Sequence, residues 1–450
     1  MFFKLKKGLD LPLKGKPDGR IDTANEVSKV AVLGADYVGL KPTMLVQQGD
    51  SVKIGTPLFE DKKNPGVIVT SPASGTVSAI NRGGKRALIS VEVAIDGEGG
   101  EDALTYTVTG DGDLASIDAA VVRELLQKSG QWVALRTRPY GKVPAIDSVP
   151  NSIFINAMDT NPLAVDPQLI IAENSSDFAH GVTILSRFGV PVYVCQEQSA
   201  SLPNLTSSNA KLAHFSGPHP AGLSSTHVHL IDPVDSNKVV WTIGYQDVIA
   251  IGHLFVEGKL FVERCVAVAG PLVNSPRVFK SRLGANISEL IEGRTIEGKM
   301  RAISGSVYNG HNAFGPIDFL GRYDNQVSLI EENDDREFMG WIAPGTKKFS
   351  AINVFVSNFF KPKAYDITTS QHGSPRALVP IGVYEKVMPL DILATPLLKS
   401  LLIKDTDSAQ ELGCLELVEE DLALCSFVDP GKHDFAPVLR STLTQIEREG

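Results

Sequence analysis

Short valine-rich strands broken by glycine and proline over 28–95, strand–helix–strand alternation from about residue 117, and strands around one short helix after residue 260 predict an α/β multidomain chain. The order of these textures divides it into a β half-barrel over 1–105, an α/β domain over 106–258, a β-grasp domain over 259–330 and a mainly helical region over 331–450. A length of 450 residues exceeds what one core can serve, so several domains are the expectation.

In the first unit, Gly49-Asp50-Ser51-Val52-Lys53-Ile54-Gly55 and Thr70-Ser71-Pro72-Ala73-Ser74-Gly75-Thr76-Val77 resemble the two halves of a lipoyl or biotinyl carrier domain. Such a domain carries its modified lysine at the tip of the hairpin between the halves. Here the turn chemistry is Asn64-Pro65-Gly66, and Lys62 and Lys63 stand beside it rather than at its tip. A barrel without the carrier lysine is predicted, and the run Asp96-Gly97-Glu98-Gly99-Gly100 closes it.

The second unit opens with a helix from about Ile117, where Ala120, Val121, Leu125 and Leu126 recur at helical spacing, Ser116 or Asp118 can cap the start and Gly130 stops it. A strand at 152–156, a helix at 167–188 and a strand at 190–195 follow, giving a Rossmann-like layer with a partly parallel sheet. In the third unit a strand covers 261–269, and Asn286 with Glu289 forms a capping box for a short helix that Gly293 ends. Another strand is expected over 300–307. Apolar segments at 351–360 and 393–403, and Val438, Leu439, Leu443 and Ile446 near the end, predict helices in the last unit.

Composition excludes several classes. With 43 basic against 52 acidic residues the net charge is −9, and no basic block stands out, so nucleic acid is not a partner. Four scattered cysteines, Cys195, Cys265, Cys414 and Cys425, indicate a reducing compartment rather than a disulfide framework. The amino terminus has no signal-peptide core, and the most apolar window, 239–256, is interrupted by Tyr245, Gln246, Asp247, Gly252 and His253. A cytoplasmic chain with no membrane span is expected, any membrane role being peripheral.

His214, His219, His227 and His229 crowd one stretch, and on a strand His227 and His229 would share a face, a spacing that suits a metal. No cysteine or carboxylate cluster accompanies them, so hydrogen-bonded structural imidazoles are the expectation. The segment Leu422–Pro430 looks like the end of a ferredoxin-type cysteine motif with Asp429-Pro430 in place of its last Cys-Pro, and two cysteines cannot hold a four-iron cluster. Neither a Gly-x-Gly-x-x-Gly turn nor a Walker loop is present. Where the first strand of the α/β unit should meet a glycine-rich loop, the chain reads Arg136-Thr137-Arg138-Pro139-Tyr140-Gly141-Lys142-Val143-Pro144. Its cations and ring suit an anionic or planar ligand, or a contact between subunits.

Lys7-Gly8-Leu9-Asp10-Leu11-Pro12, Asn156-Ala157-Met158-Asp159-Thr160-Asn161-Pro162-Leu163-Ala164, Ser216-Gly217-Pro218-His219-Pro220-Ala221-Gly222 and Phe319-Leu320-Gly321-Arg322-Tyr323 together resemble the A-subunit family of the bacterial Na(+)-translocating NADH:quinone reductase, the Nqr complex, over essentially the whole chain. More distantly, the domain order is similar to the C subunit of the Rnf complex and the FMN-binding subunit of complex I. The resemblance implies a peripheral protein on the cytoplasmic face of the inner membrane, clamped to the other Nqr subunits, especially the B subunit in the membrane. It implies FAD, FMN, riboflavin and iron–sulfur in those partners and no cofactor in this chain, since the relatives' glycine loop, acidic pair and cysteine cluster are replaced. Ubiquinone is a further expected partner, with Arg136, Arg138, Tyr140, Lys142, Tyr245, Gln246 and Asp247 as the candidate contacts because a quinone needs hydrogen-bond donors beside an apolar slot. Two other readings are a flavin-binding NADH dehydrogenase subunit that keeps its nucleotide in the α/β domain and a lipoyl or biotinyl carrier.

Overall fold

The computed structural model describes residues 1–449 apart from 98–99, 109–112, 203–204, 206–208, 334–341, 353 and 361–363. Glu98 and Gly99 of the closing glycine run, and Asn353 in the apolar 351–360 segment, thus lie outside the described residues.

The half-barrel is built from two antiparallel sheets. Lys29–Leu33, Leu88–Ile95, Gly75–Arg82 and Ser51–Val52 form one; Pro42–Met44, Pro57–Asp61 and Ile68–Thr70 form the other. Inward-pointing Val30, Val52, Val69, Val77, Val91 and Val93 make its core together with Leu58 and Phe59, which are buried in succession where the register of their strand shifts. The hairpin between the carrier-like halves does not project into solvent. Asn64 Nδ2 donates to the carbonyls of Val143 and Pro144, each at 3.2 Å, and a Cβ on Gly66 would lie 2.6 Å from Gln127 Nε2. Its turn is pressed against the second domain.

That domain carries a six-stranded sheet in the order Phe2–Lys4, Ala210–Ser216, Val192–Glu197, Ile153–Ala157, Val240–Gly244, Arg136–Arg138. The first five strands are parallel. Ile153, Phe154 and Ile155 are all buried, the continuous apolar run expected of a strand covered on both faces. The helix Ala119–Lys128 starts at Asp118, whose carboxylate accepts from the Ala120 amide, and ends before Gly130 at φ 75°. The single helix expected over 167–188 is broken into Pro167–Glu173 and Ser175–Ser186. Asn174 breaks it, because its side chain donates to the Ile170 carbonyl in competition with the helix ladder. Ser175–Ser186 packs on Tyr245–Glu257 where a Cβ on Gly252 would stand 1.8 Å from the Asp177 carbonyl oxygen, so the two backbones approach as only glycine permits.

Arg136–Arg138 corrects an expectation. It is not the first parallel strand but an antiparallel edge, with Arg136 opposite Thr242. The loop that follows it is therefore not the turn in which a doubly wound sheet cradles a phosphate. The true counterpart follows Ile153–Ala157.

The third sheet runs His311–Asn312, Met300–Ser304, Gln326–Glu331, Glu263–Ala269, Arg277–Arg282, Ile21–Thr23, with the central pair parallel and the helix Ile287–Ile291 packed on it. Asn286 caps that helix by accepting from the Glu289 amide at 3.1 Å. Glu289 does not close the predicted capping box; its carboxylate accepts from the Ser28 amide at 2.7 Å and tethers the helix to the barrel. The amino-terminal residues grouped with the barrel by sequence lend Phe2–Lys4 to the second sheet and Ile21–Thr23 to the third.

The carboxyl-terminal region is helical from Tyr384 onward, with Tyr384–Val387, Ala394–Ile403, Thr406–Glu411, Ala423–Val428 and Phe435–Glu449 around a core of Leu398, Leu401, Leu424, Phe435, Leu439 and Leu443. The 351–360 segment yields one turn of helix, Ser357–Phe360. Val239 to Val256 divides into a strand and a helix, and among the described residues no helix is long and apolar enough to cross a membrane.

Candidate functional site

From Ile153–Ala157 the chain winds outward to Val192–Glu197 and Ala210–Ser216, then returns to place Val240–Gly244 on the other side of Ile153–Ala157. In doubly wound folds, ligands bind in the crevice at this reversal, outside the carboxyl ends of the two strands. Met158 and Asp159 follow one strand. Tyr245, Gln246 and Asp247 follow the other as the first turn of the helix Tyr245–Glu257, where free amides favour an anion.

The crevice is closed by the β-grasp domain. Asp247 Oδ1 accepts from Arg322 at 2.9 Å and also from Arg264, and all three side chains are nine-tenths or more buried. Gln246 accepts from the Cys265 amide and donates to its carbonyl, both at 2.9 Å, and donates to Asn325 at 3.1 Å. It thereby satisfies the backbone of a strand whose pairing with Gln326–Glu331 begins only at Ala267. Burial depresses the Arg264 guanidinium against the pull of Asp247. Burial also opposes the Arg322 charge, but Asp247, Tyr37 and Tyr323 more than offset it and hold Arg322 above its ordinary value. Burial likewise raises Tyr245 far above a free phenol, with Asp159 adding to it.

The loop after Ile153–Ala157 holds its own anion. Asp159 accepts from the Asn161 amide at 2.8 Å and from Asn161 Nδ2 at 2.9 Å, donors that a bound phosphate would need. Burial pushes this carboxyl up to about 6 despite those bonds. Thr160 Oγ1 lies 3.1 Å from His219 Nδ1 and accepts from the Gly222 amide, Asn156 donates to the Gly222 carbonyl, and Asp10 accepts from the His219 amide at 2.8 Å. Three of the four sequence motifs, 7–12, 156–164 and 216–222, thus tie into one knot. The fourth supplies Arg322, whose amide donates to Asp36 of the barrel at 2.8 Å. Behind it lies a cavity of about 50 Å³ between three domains, bordered by Asp36, Tyr37, Ser71, Gln131 and Arg322; buried Gln131 Oε1 finds no hydrogen-bond partner among the described residues.

The cationic loop is a separate site. Arg138 is 1% exposed, donates to Ser225 at 3.0 Å and faces Glu420 at 3.8 Å; burial lowers it to about 10. Arg136 lies over the Tyr323 ring at 4.8 Å, Lys142 pairs with Glu447 at 2.5 Å, and the Tyr140 carbonyl accepts from Arg440 at 2.7 Å. Every one of these groups meets another part of the same chain, chiefly the carboxyl-terminal helices. Of the seven candidate residues, Tyr245, Gln246 and Asp247 therefore lie at the contact of the second and third domains, Arg138, Tyr140 and Lys142 at the contact of the second and fourth, and Arg136 reaches Tyr323 of the third.

His227 and His229 sit on a helix, Ser224–Ile231, and not on a strand, so they do not share a face. Buried His227 approaches the Ala221 carbonyl at 2.9 Å, His229 pairs with Glu416 at 2.8 Å, His214 stacks on Phe2 and His219 on Tyr308. Among the described residues no group of three potential ligands gathers for a metal. All four cysteines are buried thiols. Asp429, at the place of the motif's missing cysteine, accepts from Tyr384 Oη at 2.7 Å, the Gly431 amide at 2.8 Å and the His433 amide at 2.7 Å; burial works against its charge, but these donors hold it below the ordinary carboxylate range. Asp36 and Arg264 were not singled out by sequence, whereas Arg322 carried a signal through its motif and Asp429 through the altered cysteine motif.

Fold and site define a class: a multidomain α/β scaffold whose switch-point crevice is filled by its own third domain. Residues 3–96 match the family described as NqrA N-terminal barrel-sandwich hybrid domain, 117–260 the NqrA second alpha/beta domain, and 265–314 the NQRA C-terminal domain. The chain is 53% identical over 448 residues to the A subunit of the Na(+)-translocating NADH-quinone reductase of Saccharophagus degradans, covering 99% of this chain and 100% of the relative, and 52% identical over 447 residues to that of Histophilus somni strain 2336, covering 99% of each. A solved NAD+-reducing [NiFe]-hydrogenase in the air-oxidized state aligns with a TM-score of 0.35 at 13% identity over 48% of this chain and 47% of the other. The chain belongs to the NqrA family, the A subunits of the Na(+)-translocating NADH-quinone reductase, and is one component of that electron- and sodium-transporting enzyme.

Proposed function

We propose that this chain is a docking subunit that holds no redox cofactor of its own, seated peripherally on the cytoplasmic face of the inner membrane against its partner subunits, chiefly the B subunit in the membrane. The assembled complex would oxidise NADH, reduce ubiquinone to ubiquinol and move Na+ outward, with the flavins and iron–sulfur in the partners. One observation carries the reading: the polar groups that could face a nucleotide at the switch point, Asp159, Gln246 and Asp247, are all engaged within the chain. Visible absorbance of the purified full chain tests it. No flavin band is expected, and stoichiometric yellow flavin would favour the flavin-binding alternative instead.

A contribution to quinone binding is the second reading, favoured by the partial exposure of Arg136, Tyr140 and Lys142 along one loop, where a phenol and two cations offer donors. Photolabelling of the assembled complex with a quinone analogue should then mark this loop; label confined to the membrane subunits would count against it.

A further inference from the structure

We propose that the 344–360 loop is a membrane-contact surface that lays an apolar face onto anionic lipid. The inference rests on the peripheral reading above but concerns the lipid, not the protein partners. Among the described residues the two ends of the loop are tied together: the Val356 amide donates to the Pro344 carbonyl at 2.9 Å and Ser357 Oγ to the Lys348 carbonyl at 2.5 Å. Phe349 roots it against Tyr365 and Phe427, at ring separations of 5.5 and 6.3 Å. On this root, Ile352, Val354, Val356, Phe359 and Phe360 face solvent, the last two at 87% and 76% exposure.

Large aromatic side chains so exposed within 10 residues mark an interaction surface rather than ordinary scatter. The charge pattern selects its partner. The chain as a whole carries −9, yet from 344 to 360 the sequence has Lys347 and Lys348 and no carboxylate. Apolar side chains beside a lysine pair match an interface in which rings enter the acyl boundary while ammonium groups remain among anionic headgroups. An acidic protein surface would satisfy the lysines but not the rings.

The test is sedimentation of the purified full chain with vesicles of phosphatidylcholine alone and of phosphatidylcholine with phosphatidylglycerol in equal parts. The wild type should bind the anionic vesicles about ten-fold more strongly, and raised salt should remove the difference. Phe359→Ser with Phe360→Ser should cut that binding about ten-fold or more, since two rings lose their burial. Their exposure predicts an unchanged denaturation midpoint. Lys347→Glu with Lys348→Glu should erase the lipid preference. Equal binding to both vesicle types, no binding to either, or an unaffected Phe359/Phe360 variant would overturn the proposal. If that variant loses only co-purification with the membrane subunits, the face belongs to a protein partner and the proposal also fails. A wild-type chain that binds anionic vesicles but never co-purifies with those subunits would sink the docking reading alone.

Discussion

Asp247→Asn removes the carboxylate that, among the described residues, binds Arg264 and Arg322 together, while keeping the side chain's shape. The Arg322 contact is 2.9 Å long, for which Coulomb's law gives on the order of 6 kcal/mol at an effective dielectric of about 20. Desolvation of the ions offsets much of that in the native pair, but not in the variant, where two guanidiniums remain buried without their counter-ion. Loss of one partner of a buried pair costs about 3–5 kcal/mol, and the shared carboxylate places this variant toward the upper end. Urea unfolding followed by intrinsic fluorescence, read at the first transition because a chain of several domains need not unfold in one step, provides the assay. Adding Arg264→Leu should restore at least about 1 kcal/mol, because one unpaired charge then leaves the interior. A loss under about 1 kcal/mol for Asp247→Asn, or no recovery in the double variant, would refute the argument that charge compensation holds the second and third domains together.

Asp429→Ala should cost about 3 kcal/mol or more and raise hydrogen exchange around Gly431 and His433, since the Tyr384 hydroxyl, the Gly431 and His433 amides and the His433 ring lose a buried charged partner. Asn64→Ala should cost about 1 kcal/mol and raise exchange at residues 62–66 without unfolding the barrel core. For pH, Asp421 is pushed up to about 7 by burial and then by Glu420, while burial lifts Asp36 and Asp159 to about 6. Carboxyls raised in the folded state bind protons more tightly there than in the unfolded chain, so their contribution is full near pH 4 and is lost as pH climbs through 6 to 7. Between pH 5 and 7 the denaturation midpoint should therefore fall, and Asp421→Asn should flatten the slope; a midpoint that climbs over this range would contradict the assignment.

Local patterns were legible in the sequence. Asp118 and Gly130 bound their helix as expected, and the apolar spacing near the carboxyl end became the helix Phe435–Glu449, which buries Leu439, Leu443 and Ile446. What the sequence hides depends on partners far along the chain. Arg138 read as a cation offered to a ligand, yet Ser225 and Glu420, 87 and 282 positions away, enclose it. Glu289 fitted a capping box by spacing, but Ser28 competes for its carboxylate. On a strand His227 and His229 would have shared a face, but the surrounding backbone forms a helix. At the switch point, Tyr245, Gln246 and Asp247 were conspicuous as polar interruptions of an apolar window. That Arg264 and Arg322 would cover them follows only from how the third sheet is placed.

The two hairpins of the barrel suit different experimental uses. The turn at Asn64-Pro65-Gly66 is wedged beside Val143, Pro144 and Gln127, so an insertion there would pry two domains apart. The other turn, Gly83–Arg86, has open space beside Gly84, and Gly84, Lys85 and Arg86 are exposed. A fluorophore, affinity tag or small fiducial protein placed at Gly84 would ride on a rigid strand pair, giving the assembled enzyme a handle whose position reports the orientation of the whole chain.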